Sequence, residues 1–405
     1  MKTRIPFPRV LGQTESSAFN RSFGSPALRA LLVVFVLTAT VFSALPLLRY
    51  LRGHTIFDYE LWYTTGRHVL AGDEIYFFRA GKYDFMYPPP CALFLAGASL
   101  LGQGGLIFLL VPINCLAWFC SAKLSAILAA GNRGPTSPWL YLIPSLLVIV
   151  YIWSSYHLGQ PNLVLLALML GAFVALRAGR QIVGGGLIAV AAAIKAFPVL
   201  AIVYLIYRRY WTAVTSLVAT LVFLLLILPA PFRGFERAWR DVEKWSAAAS
   251  APHRSVYVNF ADLKFQIVNS IVISVALALG MLFIAAMVPR DMRTAGSDAI
   301  EFALLLLLML MVTPLSFGYF YSWLLLPFAV ITQRVLAGKS AAVLWWALPA
   351  LMLLALGIPF PRAVQLYGNT FFATLFLFIG LSVQLLCFKQ QAAQAQTAAD
   401  LHSPH

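Results

Sequence analysis

Long apolar runs alternate with short polar connections along the chain. The first run spans Ala30 to Leu48, and the most polar stretch, residues 49–87, follows it. Further apolar segments fall at approximately 105–130, 139–156, 160–177, 182–207, 211–230, 266–288, 299–314, 319–333, 341–358 and 369–388. A helix needs roughly 20 apolar residues to cross a bilayer core of roughly 30 Å, and most of these segments approach that length. The piece after Tyr87-Pro88-Pro89-Pro90, CALFLAGASLLGQ, has only about 13 residues and reads as interfacial or re-entrant. Lys195 and Pro198 interrupt the 182–207 segment, which predicts one kinked span or a pair of short helices.

Composition agrees with this pattern. Of 405 residues, 61% are hydrophobic and 11% charged, against roughly 45–50% and 25% in soluble domains, which excludes an ordinary soluble enzyme. The 29 Lys+Arg against 14 Asp+Glu fit cations placed beside spans for orientation. No basic run interleaved with aromatics lies outside an apolar context, so no nucleic-acid partner is expected. Suppose 88–101 stays on one side and 182–207 is a hairpin. Then Arg133, Arg177, Arg180, Arg208, Arg209, Arg290, Arg293, Arg334, Lys339 and Lys389 share the N-terminal, cytoplasmic side, leaving Arg362 outside. The fold class this predicts is an all-α polytopic membrane protein of about 12 helices with both termini cytoplasmic.

The expected organisation is a cytoplasmic N-terminal tail (1–28), one membrane domain (29–388) and a disordered polar tail (389–405). Within the domain, 49–104 forms a first outer loop with interfacial helices and 232–265 a second. Cys91, Cys115, Cys120 and Cys387 all sit in apolar segments. No CxxC or histidine cluster calls for a metal, and no cofactor is expected.

Polar side chains and prolines gather in the outer connections. Asp58 lies about ten residues past the first span among Phe57, Tyr59, Trp62 and Tyr63. A carboxylate among aromatics near a bilayer is partly desolvated and more basic, which suits a general base; a solvated loop acid or helix cap is the bland alternative. Glu60 is roughly 200° further round any helix, which sets it apart from Asp58. Lys195, an ionisable group inside an apolar segment, either meets a lipid phosphate or snorkels to the interface. Gln160 and Asn162 either hydrogen-bond a sugar or cap the helix that Pro161 begins. His157 is a lone histidine beside a turn, a structural residue on its own showing. The cations of 232–265, Arg254 and Lys264 among them, alternate with acids as on a salt-bridged surface helix, with phosphate contact as the sharper option. Thr313–Tyr319 and the turn at Pro359–Arg362 also face outward.

Several of these residues stand in a recognisable order: Phe57-Asp58-Tyr59-Glu60 with Tyr63, Gly66-Arg67, Leu70-Ala71-Gly72, Ile75-Tyr76 and Tyr87-Pro88-Pro89. Gly159-Gln160-Pro161-Asn162, Ala193-Ile194-Lys195-Ala196-Phe197-Pro198 and Arg208-Arg209 follow. Over roughly residues 30–335 the chain is similar to glycosyltransferase family 87, the polyprenyl-phosphate-mannose-type transferases of the GT-C fold. One position departs: where similar proteins often read S-P-x-S-W-x-H, this chain has Thr313-Pro314-Leu315-Ser316-Phe317-Gly318-Tyr319, with tyrosine in place of the histidine.

The resemblance implies an inverting membrane transferase whose base is Asp58, acting outside the cytoplasm. Its partners would be a polyprenyl-phosphate-sugar donor, a lipid or glycan acceptor, and membrane lipids. Lys195 and one of Arg254, Lys264 or Arg362 would stabilise the leaving phosphate. Tyr63, Arg67, Tyr87, His157, Gln160, Asn162 and Tyr319 would complete the substrate contacts. A transporter or lipid flippase is the rival class, and a non-catalytic scaffold a third; neither an internal repeat nor a line of midplane charges favours transport.

Overall fold

A computed structural model describes residues 26–79, 82–131, 137–250, 269–313, 317–338, 341–357 and 368–401. The chain begins with α1 (Pro26–Leu51) and α2 (Asp58–Leu70), then a two-residue antiparallel hairpin, β1 (Phe78–Arg79) with β2 (Lys82–Tyr83). The helices α3 (Pro89–Ser99), α4 (Gly102–Ala130), α5 (Trp139–Leu147), α6 (Ile149–Leu158), α7 (Asn162–Arg177) and α8 (Gln181–Ile194) follow. A 3-10 turn (Phe197–Leu200) leads into α9 (Ala201–Tyr207), and α10 (Trp211–Val222) continues through a π turn toward Arg233. The rest comprises α11 (Phe235–Ser250), α12 (Asn269–Ala286), α13 (Ala295–Val312), a 3-10 segment (Gly318–Leu324), α14 (Leu325–Leu336), α15 (Ala341–Leu356) and α16 (Asn369–Leu401).

Five described helices are long and apolar enough to cross a membrane: Pro26–Leu51, Gly102–Ala130, Trp211–Arg233, Ala295–Val312 and Asn369–Gln394. A sixth crossing results if α5 and α6, which meet at 63°, form one broken span. The other apolar helices have 10–17 residues, so length supports five or six crossings among the described residues where about 12 were expected. Hydropathy overlooks the breaks that shorten these helices: the turn at Gly179, with φ of 75°, ends α7, and Lys195 ends α8 in an extended conformation.

The polar tail expected to be disordered is instead helical, because α16 continues to Leu401. Its Ala and Gln residues are good helix formers, and extending an existing helix needs no new nucleus.

Two chemically distinct ends emerge. From the Gln160 turn, α7 runs to Arg177, whose guanidinium donates to the carbonyls of Leu128 (3.4 Å) and Ile127 (3.5 Å) at the end of α4. The return helix α8 brings Lys195 within 3.5 Å of Gln160 Oε1. The chain reverses there, and α9 carries Arg208 back to the first end. Arg208 Nη1 donates to the Val288 carbonyl (2.8 Å), and Nη2 pairs with Glu301, a side chain with no exposure. Glu301 also accepts from Tyr204 Oη (3.3 Å) and Val288 N (3.2 Å). Beside them Arg293 bonds Asp298 at 2.7 Å and Tyr210 Oη at 2.5 Å. The 182–207 segment is therefore a hairpin of two short helices, its tip at one end and its base in a buried ion-pair cluster at the other.

Removing one member of a buried ion pair strands the other charge and costs about 3–5 kcal/mol. Glu301→Leu should lower the thermal midpoint of the detergent-solubilised protein by more than the double variant Arg208→Met/Glu301→Leu. A single variant as stable as the double would refute the pair's anchoring role.

Candidate active site

The helix α2 is amphipathic: Tyr59, Trp62, Thr65 and Gly66 are buried on one face, while Asp58 and Glu60 sit in its first turn, where the helix dipole favours acids. Two aromatic side chains tie this helix to the α6–α7 turn. Tyr59 Oη donates to the Tyr156 carbonyl (3.0 Å), and Trp62 Nε1 donates to the Gly159 carbonyl (2.8 Å). The turn closes on a left-handed Gly159 (φ 76°), with Gln160 N donating to the Ser155 carbonyl at 2.8 Å. A Cβ on Gly159 would stand 2.9 Å from the Tyr59 ring, so glycine serves here both the turn and the contact. Gly66, inside α2, lets α3 approach closely, since a Cβ there would come to 2.4 Å from the Leu95 carbonyl.

Phe57, just before Asp58, has φ 53° and ψ −127°, a conformation that costs a non-glycine residue about 1–3 kcal/mol. Its ring lies 5.0 Å from the Arg49 guanidinium and 4.7 Å from the His157 ring, which stacks in turn on Trp153. These contacts hold the strained residue and so fix where α2 begins.

At the junction, Gln160 is the centre of a small network. Its Oε1 accepts from Tyr87 Oη (2.8 Å) and lies 3.5 Å from Lys195 Nζ, while its Nε2 donates to Asp58 Oδ2. Tyr87 Oη is 3.4 Å from Lys195 Nζ, and Tyr76 Oη donates to the Tyr87 carbonyl at 2.8 Å. Lys195 is half-buried among three rings, with Nζ 4.1 Å from Phe320, 5.0 Å from Tyr87 and 5.1 Å from Tyr319. Cation–π attraction from these rings offsets part of what burial costs the ammonium. Burial pushes the Asp58 carboxyl above the ordinary aspartate value, a rise that the Gln160 hydrogen bond and the Lys195 charge reduce without cancelling.

Asp58, Tyr87, Gln160, Lys195 and Tyr319 thus come together, with His157 one ring away. Other expected contacts do not join them. Tyr63 lies about 7.5 Å along α2 from Asp58 and roughly 140° round it, and Arg67 is exposed near the far end of the same helix. Asn162 is fully buried, and its side chain makes neither a cap nor a hydrogen bond among the described residues. Its carbonyl accepts from Trp323 Nε1 at 3.1 Å, which anchors the 3-10 segment carrying Tyr319 and Phe320. Arg254, Lys264 and Arg362 lie outside the described residues. Phe320 escaped the sequence reading, and Tyr59 and Trp62 were read there as the aromatic surroundings of Asp58 rather than as anchors of the Gln160 turn; their polar tips were the available signal.

A chain whose described residues are mainly helical, with several helices of bilayer length, is a multi-pass membrane protein. The sequence model of glycosyltransferase family 87 matches residues 85–314, more than half of the chain, including Tyr87, Gln160 and Lys195 but not Asp58. The chain belongs to glycosyltransferase family 87. A crystal structure of ArnT from Cupriavidus metallidurans bound to undecaprenyl phosphate overlaps 91% of this chain and 79% of its own, with 16% identity and a TM-score of 0.47. That overlap is too loose to put residues in correspondence. Among curated proteins, none matches the chain significantly.

Gln160→Leu should move the Asp58 titration higher still, because the charged form loses its N–H donor. The pH dependence of carbodiimide labelling at Asp58, followed by peptide mass spectrometry, reads both values. A wild-type midpoint at or below about 4, or a downward shift in the variant, would contradict this electrostatic account.

Proposed function

We propose that this glycosyltransferase moves a hexose, mannose by family resemblance, from a polyprenyl-phosphate donor to a hydroxyl of a lipid or glycan acceptor, with inversion. The observation that carries the reading is the Gln160 amide, which binds a desolvated carboxylate at one end and a caged ammonium at the other. A transfer of this kind needs a base for the attacking hydroxyl and a cation for the departing phosphate.

Asp58 Oδ2 is engaged by Gln160, which leaves Oδ1 for the acceptor hydroxyl. As the acceptor oxygen forms its bond to the anomeric carbon, its proton passes to Asp58 and the bond to the phosphate oxygen breaks. The transition state has oxocarbenium character. Charge growing on the phosphate is met by Lys195, whose contacts at 3.4–3.5 Å are long enough to yield to a stronger anionic partner. Tyr87 and Gln160 position the two groups. The reaction needs no nucleotide site, because the sugar arrives on lipid.

The same reading places this end outside the cytoplasm. Arg177, Arg208 and Arg293 all belong to the opposite end, the distribution expected of a cytoplasmic face. It also takes the short helices as further crossings, about 12 in all, with both termini cytoplasmic.

Asp58→Asn keeps the shape and removes the base, so turnover in proteoliposomes should fall by about 10²–10⁴ with insertion unchanged. Lys195→Met should weaken donor binding. Near-normal transfer by purified Asp58→Asn protein would end the assignment, and movement of lipid-linked sugar without transfer would favour a flippase.

A further inference from the structure

The span that begins with α10 ends at Arg233, and the chain turns at Gly234 (φ 77°) directly into α11. Val218, Val222, Phe223 and Ile227 are exposed along that span, as expected of a helix side that faces lipid. Exposed apolar surface does not stop where the span does. Phe232 is 74% exposed, Phe235 64% and Trp239 49%, and large bare rings grouped in this way mark a surface that meets a partner.

Three sectors divide α11. Ala238, Asp241 and Ala248 are buried, and Trp245 packs with Ala248 in the apolar cluster that holds Tyr59, Trp62 and Tyr87. Phe235 and Trp239 share a second edge, about 40° apart round the helix. Glu236, Arg240 and Glu243 are exposed on the third, at roughly 80–140° from Phe235. Aromatic and charged edges side by side describe a helix at a polar–apolar boundary, because water would leave the rings bare and hydrocarbon would strand the charges. Trp239 suits that layer, its ring apolar and its Nε1 donating to Glu243 Oε1 at 2.7 Å. Net charge supplies no attraction: Arg237, Arg240 and Lys244 of α11 are matched by Glu236, Asp241 and Glu243.

The same helix is tied to the chain that follows α2. Arg233 Nε donates to Asp241 Oδ2 at 2.5 Å, with both side chains almost wholly buried, and Arg233 Nη2 donates to the Asp73 carbonyl at 3.0 Å. Lys244 pairs with Glu74. Asp73 and Glu74 lie just beyond Leu70, the end of the helix that Asp58 begins.

We propose that α11 is an interfacial anchor: Phe232, Phe235 and Trp239 seat it in the headgroup layer of the bilayer, and Arg233 and Lys244 hold the Asp58 helix at that level. The partner is the lipid surface itself, met by rings rather than by charge. The inference rests on the chain crossing a membrane and is independent of the reaction proposed above.

Trp239 is its own probe. In proteoliposomes, the difference in emission between wild type and Trp239→Phe gives the fluorescence of Trp239, and Trp245→Phe gives that of the indole on the packed face. Thermal midpoints of the detergent-solubilised proteins control for folding. A lipid brominated near its headgroup should quench most of the Trp239 share and little of the Trp245 share, equally with and without anionic lipid. Quenching of Trp239 by aqueous iodide but not by this lipid would overturn the anchor. Quenching by neither would show the edge covered by protein, a second copy of the chain included, with the same consequence; a requirement for anionic lipid would replace rings by charge and count equally against it. The tie is read at Asp58 by labelling with a lipid-soluble and a water-soluble carbodiimide. In Phe235→Ser/Trp239→Ser the balance should shift toward the water-soluble reagent, and an unchanged balance in the folded double variant would refute the claim that α11 sets the level of Asp58.

Discussion

A primary amide has one accepting end and one donating end, and the site depends on that asymmetry at Gln160. The Tyr87 hydroxyl and the Lys195 ammonium both converge on Oε1. The opposite orientation would set the NH2 group against the Lys195 ammonium and the carbonyl oxygen against a carboxylate, losing both of those contacts and leaving the Tyr87 hydroxyl only an accepting role. The side chain therefore has one stable setting, with N–H directed at Asp58. An acid and a cation are held apart by a neutral spacer rather than collapsing into a salt bridge, which would have neutralised both. Each keeps capacity for a substrate group.

That setting needs rigid support. Tyr59 and Trp62 bond to carbonyls of the turn that carries Gln160, which ties α2 to the α6–α7 turn. The strain at Phe57 falls in the same place, and stored strain persists only where surrounding contacts over-determine the backbone. Here Arg49, His157 and Trp153 supply those contacts. His157, read from sequence as structural or substrate-binding, stands in this bracing stack. On the other side Trp323 bonds the first residue of α7 and brings Tyr319 and Phe320 over Lys195.

Asp58, Gln160 and Lys195 were legible in the sequence because each is a polar group where hydropathy predicts apolar surroundings or an outer turn, and such positions are costly unless used. The hairpin at 182–207 was legible for a related reason, since Lys195 and Pro198 cannot sit in the middle of a continuous span without a break. What sequence could not show was distance between segments. Tyr63 and Arg67 share a motif with Asp58, yet helix geometry carries both away from it. The crossing count suffered similarly: hydropathy reports how apolar a run is, and the turns at Gly179 and Lys195 that divide the runs depend on tertiary contacts. The helical tail was missed by weighing polarity above propensity.

Tyr319 stands where the resemblance drawn from the sequence would put a histidine. An imidazolium there would put a second positive charge near Lys195, and the two would repel in a partly desolvated cage. A tyrosine instead turns a π face toward the ammonium, an attraction without a second charge. Lys195 is then the cation among the described residues of the cage, and the neighbouring Asp58 carboxyl acts on it across Gln160.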